Sequence, residues 1–135
     1  YTLPIGKGRI AKEGEDLTII TYGMGVHWAL KESENLEDGT VEIIDLLTLM
    51  PWDKDLVRRS VQKCGKVIVL QEDTLTGGIG AEIASWIGEH CFTFLDAPVV
   101  RIGSMDTPVP FAAPLEKQFL ASSRLSSKIK EVLKY

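Results

Sequence analysis

The sequence predicts an α/β fold: a mostly parallel, mixed five-stranded sheet with helices on both faces, in three α/β/α layers. Three observations predict it. Short β-branched runs alternate with stretches of helical periodicity through brief connections, which is the pattern of βαβ units. The first strong strand, Leu17 to Tyr22, is apolar enough to be covered on both sides, as strands of parallel sheets are. At 135 residues, 44% hydrophobic and 25% charged, the chain has the size and composition of one packed domain, residues 1–135.

The elements follow in order. Gly8-Arg9-Ile10 supplies an edge strand running opposite to the rest. The strand at 17–22 ends in the turn Gly23-Met24-Gly25, and Val26, Ala29, Leu30, Ser33 and Leu36 then share one helical face. Asp38-Gly39 closes that helix and Val41–Asp45 is the next strand. Leu49-Met50-Pro51-Trp52 forms a loop, after which Asp53 is placed to cap a helix through its free N–H groups. Leu56, Val57, Ser60, Val61 and Cys64 line that helix inwardly, and Gly65 ends it. Lys66–Leu70 is a third parallel strand, and Glu72 through Gly80 is a glycine-rich turn into a helix with Ile83, Ile87 and Cys91 inward. Val99–Ile102 is the last strand. The stretch Asp106–Phe111 is irregular because its prolines fix φ and lack donors. A final amphipathic helix buries Ile129, Val132 and Leu133.

Composition narrows the function classes. A formal net charge of −4 argues against a nucleic-acid partner, which would call for a basic face. No apolar run approaches the length of a membrane span, and no leader-like start is present. Cys64 and Cys91 lie far apart in apolar-periodic surroundings and read as small buried hydrophobes of a reducing compartment; a disulfide is allowed by counting alone. The first residue, Tyr1, suggests a piece of a longer chain.

Several constellations could carry chemistry. Gly23-Met24-Gly25 with Asp45 about 20 residues on resembles half of a dinucleotide fingerprint, yet the third glycine position holds Trp28. Thr76-Gly77-Gly78-Ile79-Gly80 could cradle an anion or let a backbone or subunit pack closely, and it lacks a P-loop ending. Glu72 and Asp73 sit where open α/β sheets bind ligands, although a solvated lip is the plainer reading. His27 and His90 have no partners at metal spacing, and there is no nucleophile elbow. From the residues alone the chain is an α/β domain without a complete active site.

Four stretches resemble one family. Val41–Asp53, Glu72–Ile83, Leu95–Val99 and Asp106–Phe111, with Pro4–Gly8 near the start, are similar in order and spacing to the C-terminal domain of β chains of thiamine diphosphate-dependent 2-oxo acid dehydrogenases. The resemblance covers essentially the whole chain and implies the transketolase C-terminal fold, a mixed sheet with an antiparallel first strand. It implies that the full enzyme decarboxylates a 2-oxo acid on thiamine diphosphate and Mg and passes the acyl group to a lipoyl arm. The Gly-Asp-Gly cofactor motif belongs to the α half, and the pyrimidine-contacting domain would precede Tyr1. No catalytic, cofactor or metal residue is therefore expected here.

What the resemblance leaves to this domain is assembly. The implied partners are the remaining domains or α subunit, a second copy across a two-fold axis, and the subunit-binding domain of the lipoyl acyltransferase. Asp96 and the terminal Tyr135 match the docking positions, with a turn-capping role for Asp96 as the alternative. Gly77, Gly78 and Gly80 are assigned to the two-fold interface. The wording at Leu75–Gly78 and Met50–Asp53, with Tyr135, is closest to branched-chain (2-oxoisovalerate) enzymes, although bacterial pyruvate and acetoin enzymes share much of it. Gln71 departs from the histidine frequent at its position. The expected setting is cytoplasmic, or the mitochondrial matrix in a eukaryote.

Overall fold

The computed structural model describes residues 3–135. Its elements are β1 (Arg9–Lys12), β2 (Leu17–Thr21), α1 (Met24–Ser33), β3 (Val41–Asp45), α2 (Lys54–Cys64), β4 (Val67–Thr74), α3 (Ile79–His90), a short 3₁₀ turn (Phe92–Phe94), β5 (Val100–Ser104), α4 (Ala113–Phe119) and α5 (Ser122–Leu133). The strands form one sheet in the order β1-β3-β2-β4-β5. β2, β3, β4 and β5 run parallel, and β1 pairs antiparallel with β3. The expected α/β class, the five strands and the reversed edge strand are all present.

Alternating side chains along each strand build two cores. Leu17 and Ile19, Val41 and Ile43, and Ile68 and Leu70 point to one face, where Ala29 of α1 and Leu125, Ile129 and Val132 of α5 cover them. Ile20, Ile44, Val67 and Val69 point to the other, against Leu56, Val57 and Val61 of α2 and Ile83 and Ile87 of α3. That is the period-two geometry of a strand buried on both sides.

Local chemistry sets the element ends. Asp53 caps α2 as its residue type suggests: Oδ1 accepts from Leu56 N–H at 3.1 Å and Oδ2 from Gly8 N–H at 3.0 Å. Gly65 closes α2 in the left-handed region (φ 74°), donating to Val61 O at 2.8 Å. α1 stops at Ser33 rather than continuing through Leu36, because Ser33 Oγ bonds back to Leu30 O and the next three N–H groups make three-residue turns. Leu36 still packs against the core.

β4 runs on to Thr74, four residues beyond the expected strand. Gln71 is buried, and β5 supplies partners for the polar continuation: Ser104 Oγ bonds Glu72 O, and Leu75 N–H donates to Ser104 O at 3.0 Å. The proline stretch is irregular as expected, but α4 follows it unforeseen. Only Phe119 of α4 is buried, so no apolar stripe announces it.

Candidate functional site

The parallel strands give the sheet two distinct ends, and the residues singled out in the sequence divide between them. At the carboxyl end, the glycine-rich turn enters α3. Here β4 delivers Gln71 under the turn. Its Oε1 accepts from Gly80 N–H at 2.6 Å and its Nε2 donates to Thr74 O at 2.6 Å. A Cβ on Gly78 would stand 2.1 Å from Gln71 Nε2, and one on Gly80 2.5 Å from Gln71 Oε1. These two glycines are therefore explained by a buried glutamine of the same chain. That is the close-packing use of the turn, and Gln71, uninterpretable in the sequence, is its counterpart. Gly77 differs: it has φ 78° and open space around its Cα, so it serves the turn itself.

The turn is held from the other side by Asp106, whose carboxylate accepts from Thr76 N–H at 2.9 Å and from Thr76 Oγ. Those bonds hold the Asp106 carboxyl below its ordinary range. Arg101 donates to Leu75 O at 3.1 Å. Beside the turn, a cavity of about 740 Å³ opens toward the Leu49–Trp52 loop, with Met50, Pro51, Gly77, Gly78 and Glu82 in its wall. The Met50-Pro51 peptide is cis and Leu47 has φ 62°, neither of which the sequence signalled.

Asp96 and Tyr135 both lie at the opposite end, where β4 begins. Asp96 N–H donates to Gly65 O at 2.7 Å, and its carboxylate lies against Gly65, where an added Cβ would be 2.3 Å from Oδ2. On the next residue, Lys66 Nζ donates to the main-chain oxygen of Tyr135 at 2.7 Å and to Leu133 O at 3.3 Å. Two residues 39 positions apart thus flank one dipeptide, Gly65-Lys66. Asp96 is exposed and, among the described residues, its carboxylate has no salt bridge. The Tyr135 ring is exposed as well.

The dinucleotide alternative loses its acid. Asp45 is buried, its Oδ2 accepting from Arg9 Nε at 3.2 Å and its Oδ1 from Leu47 N–H at 3.2 Å, so both oxygens already serve the fold. Gly25 is small because Thr21 Oγ1 lies where its Cβ would be, 1.9 Å away, and Trp28 is packed against the core. Glu72 and Asp73 are exposed near Tyr22, and burial together with those two carboxylates pushes the Tyr22 hydroxyl pKa up. Negative charge there opposes a pyrophosphate.

The two cysteines are free and buried; burial pushes the Cys64 thiol up to about 12 and raises Cys91 also. His90 stacks on Trp86 with ring centroids 4.7 Å apart, and Trp86 meets Trp52 edge-on at 5.1 Å. Among the described residues no three His, Cys, Asp or Glu side chains gather as a metal site. No described helix is long and apolar enough to cross a membrane.

A mixed sheet of this order, with its reversed edge strand and its split of α1 and α5 against α2 and α3, defines a class of α/β domain. The chain belongs to the transketolase C-terminal domain family, whose model matches residues 6–124. It is 41% identical over 139 aligned residues to the 2-oxoisovalerate dehydrogenase subunit beta of Bacillus subtilis, covering all of this chain and 42% of that protein. It is 39% identical to the mitochondrial 2-oxoisovalerate dehydrogenase subunit beta 2 of Arabidopsis thaliana, across 92% of this chain and 37% of the relative. The pyruvate dehydrogenase E1 component subunit beta of Staphylococcus aureus is also 39% identical, over the whole chain and 42% of its own. Among solved structures, a split-gene transketolase in an inactive beta4 tetramer superposes with a TM-score of 0.81 at 28% identity, over 99% of this chain and 43% of that one. The chain thus spans about two fifths of the length of these relatives.

Proposed function

We propose that this chain is the C-terminal assembly and docking domain of a longer β-type subunit, in the decarboxylating component of a branched-chain 2-oxo acid dehydrogenase complex. In the assembled component, thiamine diphosphate with Mg supplies the decarboxylation chemistry, and the acyl group passes to a lipoyl arm. This domain contributes surfaces rather than reacting groups. Its partners are the remaining domains or α subunit, a second copy, and the subunit-binding domain of the acyltransferase. Its compartment is that of the complex, the cytoplasm of a bacterium or a mitochondrial matrix.

The observation that supports this reading best is that Asp96 and Tyr135 bond to successive residues, Gly65 and Lys66, at one end of the sheet. Two chain segments bring an exposed acid and the Tyr135 main-chain oxygen to the same end of the sheet, which suits pairing of each with a basic side chain on a partner. Lys66 positions the Tyr135 end, and the Gly65 bond orients Asp96.

Calorimetric titration with the acyltransferase's subunit-binding domain tests it. Saturable binding is expected, weakened about tenfold or more by Asp96→Asn, the loss that accompanies removal of one charge-assisted pair. Binding untouched by both Asp96→Asn and deletion of Tyr135 would remove the docking role. Saturable binding of thiamine diphosphate to this chain alone would overturn its non-catalytic reading. A pyruvate-directed component is the second reading, favoured by the 39% identity to the Staphylococcus aureus subunit over the whole chain. Activity of the reconstituted component on 2-oxoisovalerate against pyruvate separates the two.

A further inference from the structure

The surface at the other end of the strands from Asp96 and Tyr135 is the one least explained by the docking role. Beyond the carboxyl ends of the strands, residues 105–118 carry exposed apolar side chains: Phe111 fully exposed, Val109 62%, Leu115 54% and Met105 47%. A soluble domain rarely concentrates such groups in fourteen consecutive residues unless something covers them. This ridge walls a cavity of about 630 Å³ whose floor is Tyr22 after β2 and Glu72-Asp73 in β4. From β2 the chain moves to β3 on one side, and the next strand, β4, lies on the other. The cavity therefore occupies the point where strand order reverses, which is where open α/β sheets receive ligands.

Charge states what the occupant must carry. Glu72, Asp73 and Glu116 all line the cavity, and among the described residues none of the three is in a salt bridge. The neighbouring cations are occupied elsewhere: Arg101 by Leu75 O, and Arg124 by Gln118 O at 3.0 Å and by Gly103 O. Lys117 faces a different cavity, beside Trp28. Three carboxylates without a cation, rimmed by Val109, Pro108 and Phe119, fit a guanidinium or ammonium group with apolar neighbours.

We infer that this crevice and the Val109–Leu115 ridge form an interdomain contact, covered by a polypeptide surface that presents an arginine or lysine between apolar side chains and belongs to the part of the dehydrogenase component outside these 135 residues. The inference rests on the proposed function for the source of that surface. The relatives' length supports it as well, since in the Bacillus subtilis subunit 58% of the chain lies outside the matched part and needs surfaces to pack on. A metabolite would account for the acids but not for a fully exposed phenylalanine on the outer slope.

The test uses this chain, ¹⁵N-labelled, titrated with acetyl-leucyl-arginyl-leucine amide at low salt. Amide shifts are expected to cluster at Tyr22, Glu72, Asp73 and Glu116, and to fade at high salt. The double variant Glu72→Gln/Asp73→Asn, both at exposed positions, should weaken binding about tenfold with an otherwise unchanged spectrum. Shifts that scatter over the surface, persist in the double variant, or appear equally with the glutamyl analogue of the peptide would overturn the inference. So would a fall in self-association on Phe111→Ser by sedimentation, because the cover would then be a second copy. The peptide readout involves no acyltransferase, so the inference can fail while docking at Asp96 stands, and the reverse.

Discussion

Gly78→Ala should be costly only while Gln71 is present. Gly78 has φ −79° and ψ 162°, an extended conformation that alanine adopts freely, so the backbone imposes no penalty. The collision is with Gln71 Nε2, 2.1 Å from the new methyl. Gln71 is 1% exposed and cannot swing into solvent without releasing Gly80 N–H and Thr74 O, each held at 2.6 Å. Two lost hydrogen bonds, one leaving a buried donor unpaired, amount to about 2–3 kcal/mol. Gln71→Ala loses the same two bonds and should cost a similar amount. In that background the three atoms nearest the new methyl, all of Gln71, are gone, and alanine restricts the unfolded chain, so Gly78→Ala becomes neutral or stabilising by about 0.5 kcal/mol. The coupling between the two positions is then about 2–3 kcal/mol and favours the double variant. Urea unfolding followed by the fluorescence of Trp52 and Trp86 measures it. With a slope of about 1.5–2 kcal/mol/M for a domain of this size, the single variants should lose roughly 1–2 M in midpoint. Equal cost of Gly78→Ala with and without Gln71 would refute the reasoning and return Gly78 to an intermolecular role.

Three further outcomes follow from the same geometry. Glu42 is buried on β3, accepting from Ser60 Oγ at 2.5 Å and from Lys63 Nζ, whose side chain is one-third exposed. Lys63→Met should destabilise by about 2 kcal/mol, less than a fully buried pair would lose because water screens the ammonium. The hydrogen bond to Glu42 raises the Lys63 pKa above its ordinary 10.5, so its stabilisation is complete below that value and lost as pH rises through the raised one. The gap between wild type and variant in thermal melts should therefore be constant at neutral pH and close as the pH rises beyond the ordinary lysine range; a gap that widens there would contradict the assignment. Neither cysteine should react with Ellman's reagent at neutral pH until the chain is unfolded, when both should; rapid titration of a native thiol would contradict the burial of Cys64 or Cys91. Met50→Asp, at a side chain 89% exposed beside the glycine-rich turn, should raise any self-dissociation constant at least about tenfold by sedimentation equilibrium if the two-fold contact uses that cavity. An unchanged constant would take this surface out of the contact without disturbing Gly78.

The layers were legible because burial writes itself into period. Val41, Ile43 and Ile44, or Val67 through Leu70, can sit only where both faces are covered, and Asp53 and Gly65 mark their helix ends through cap chemistry. What escaped was structure made by distant partners. β4 continues through Glu72 and Asp73 because Ser104 arrives from 32 residues beyond Glu72, and α1 stops short because of a serine hydroxyl that bonds backwards. α4 has almost no buried face to leave a trace. At the site, Asp96 and Tyr135 were singled out by resemblance, and their bonds to the successive residues Gly65 and Lys66 could not be read from positions so far apart. The glycines at 78 and 80 had an intramolecular use that only the position of Gln71 reveals.

The two margins of the sheet are closed in different ways. At β1 a register irregularity after Ile10 breaks the pairing rhythm, while Arg9 is tied to Asp45 and Lys12 to Ser33 and Asp38. At β5 the guanidinium of Arg124 takes the Gly103 carbonyl, and Met105 N–H is bound by Phe119 O. At β5 these bonds interrupt the row of amide donors and acceptors that a visiting strand would need, and at β1 the strand is four residues long with charged ends. Side-chain surfaces are then better suited than sheet extension to join such domains into a larger assembly. Such joints can be loosened one residue at a time, and they leave the ten-ångström layers of each domain intact when they part.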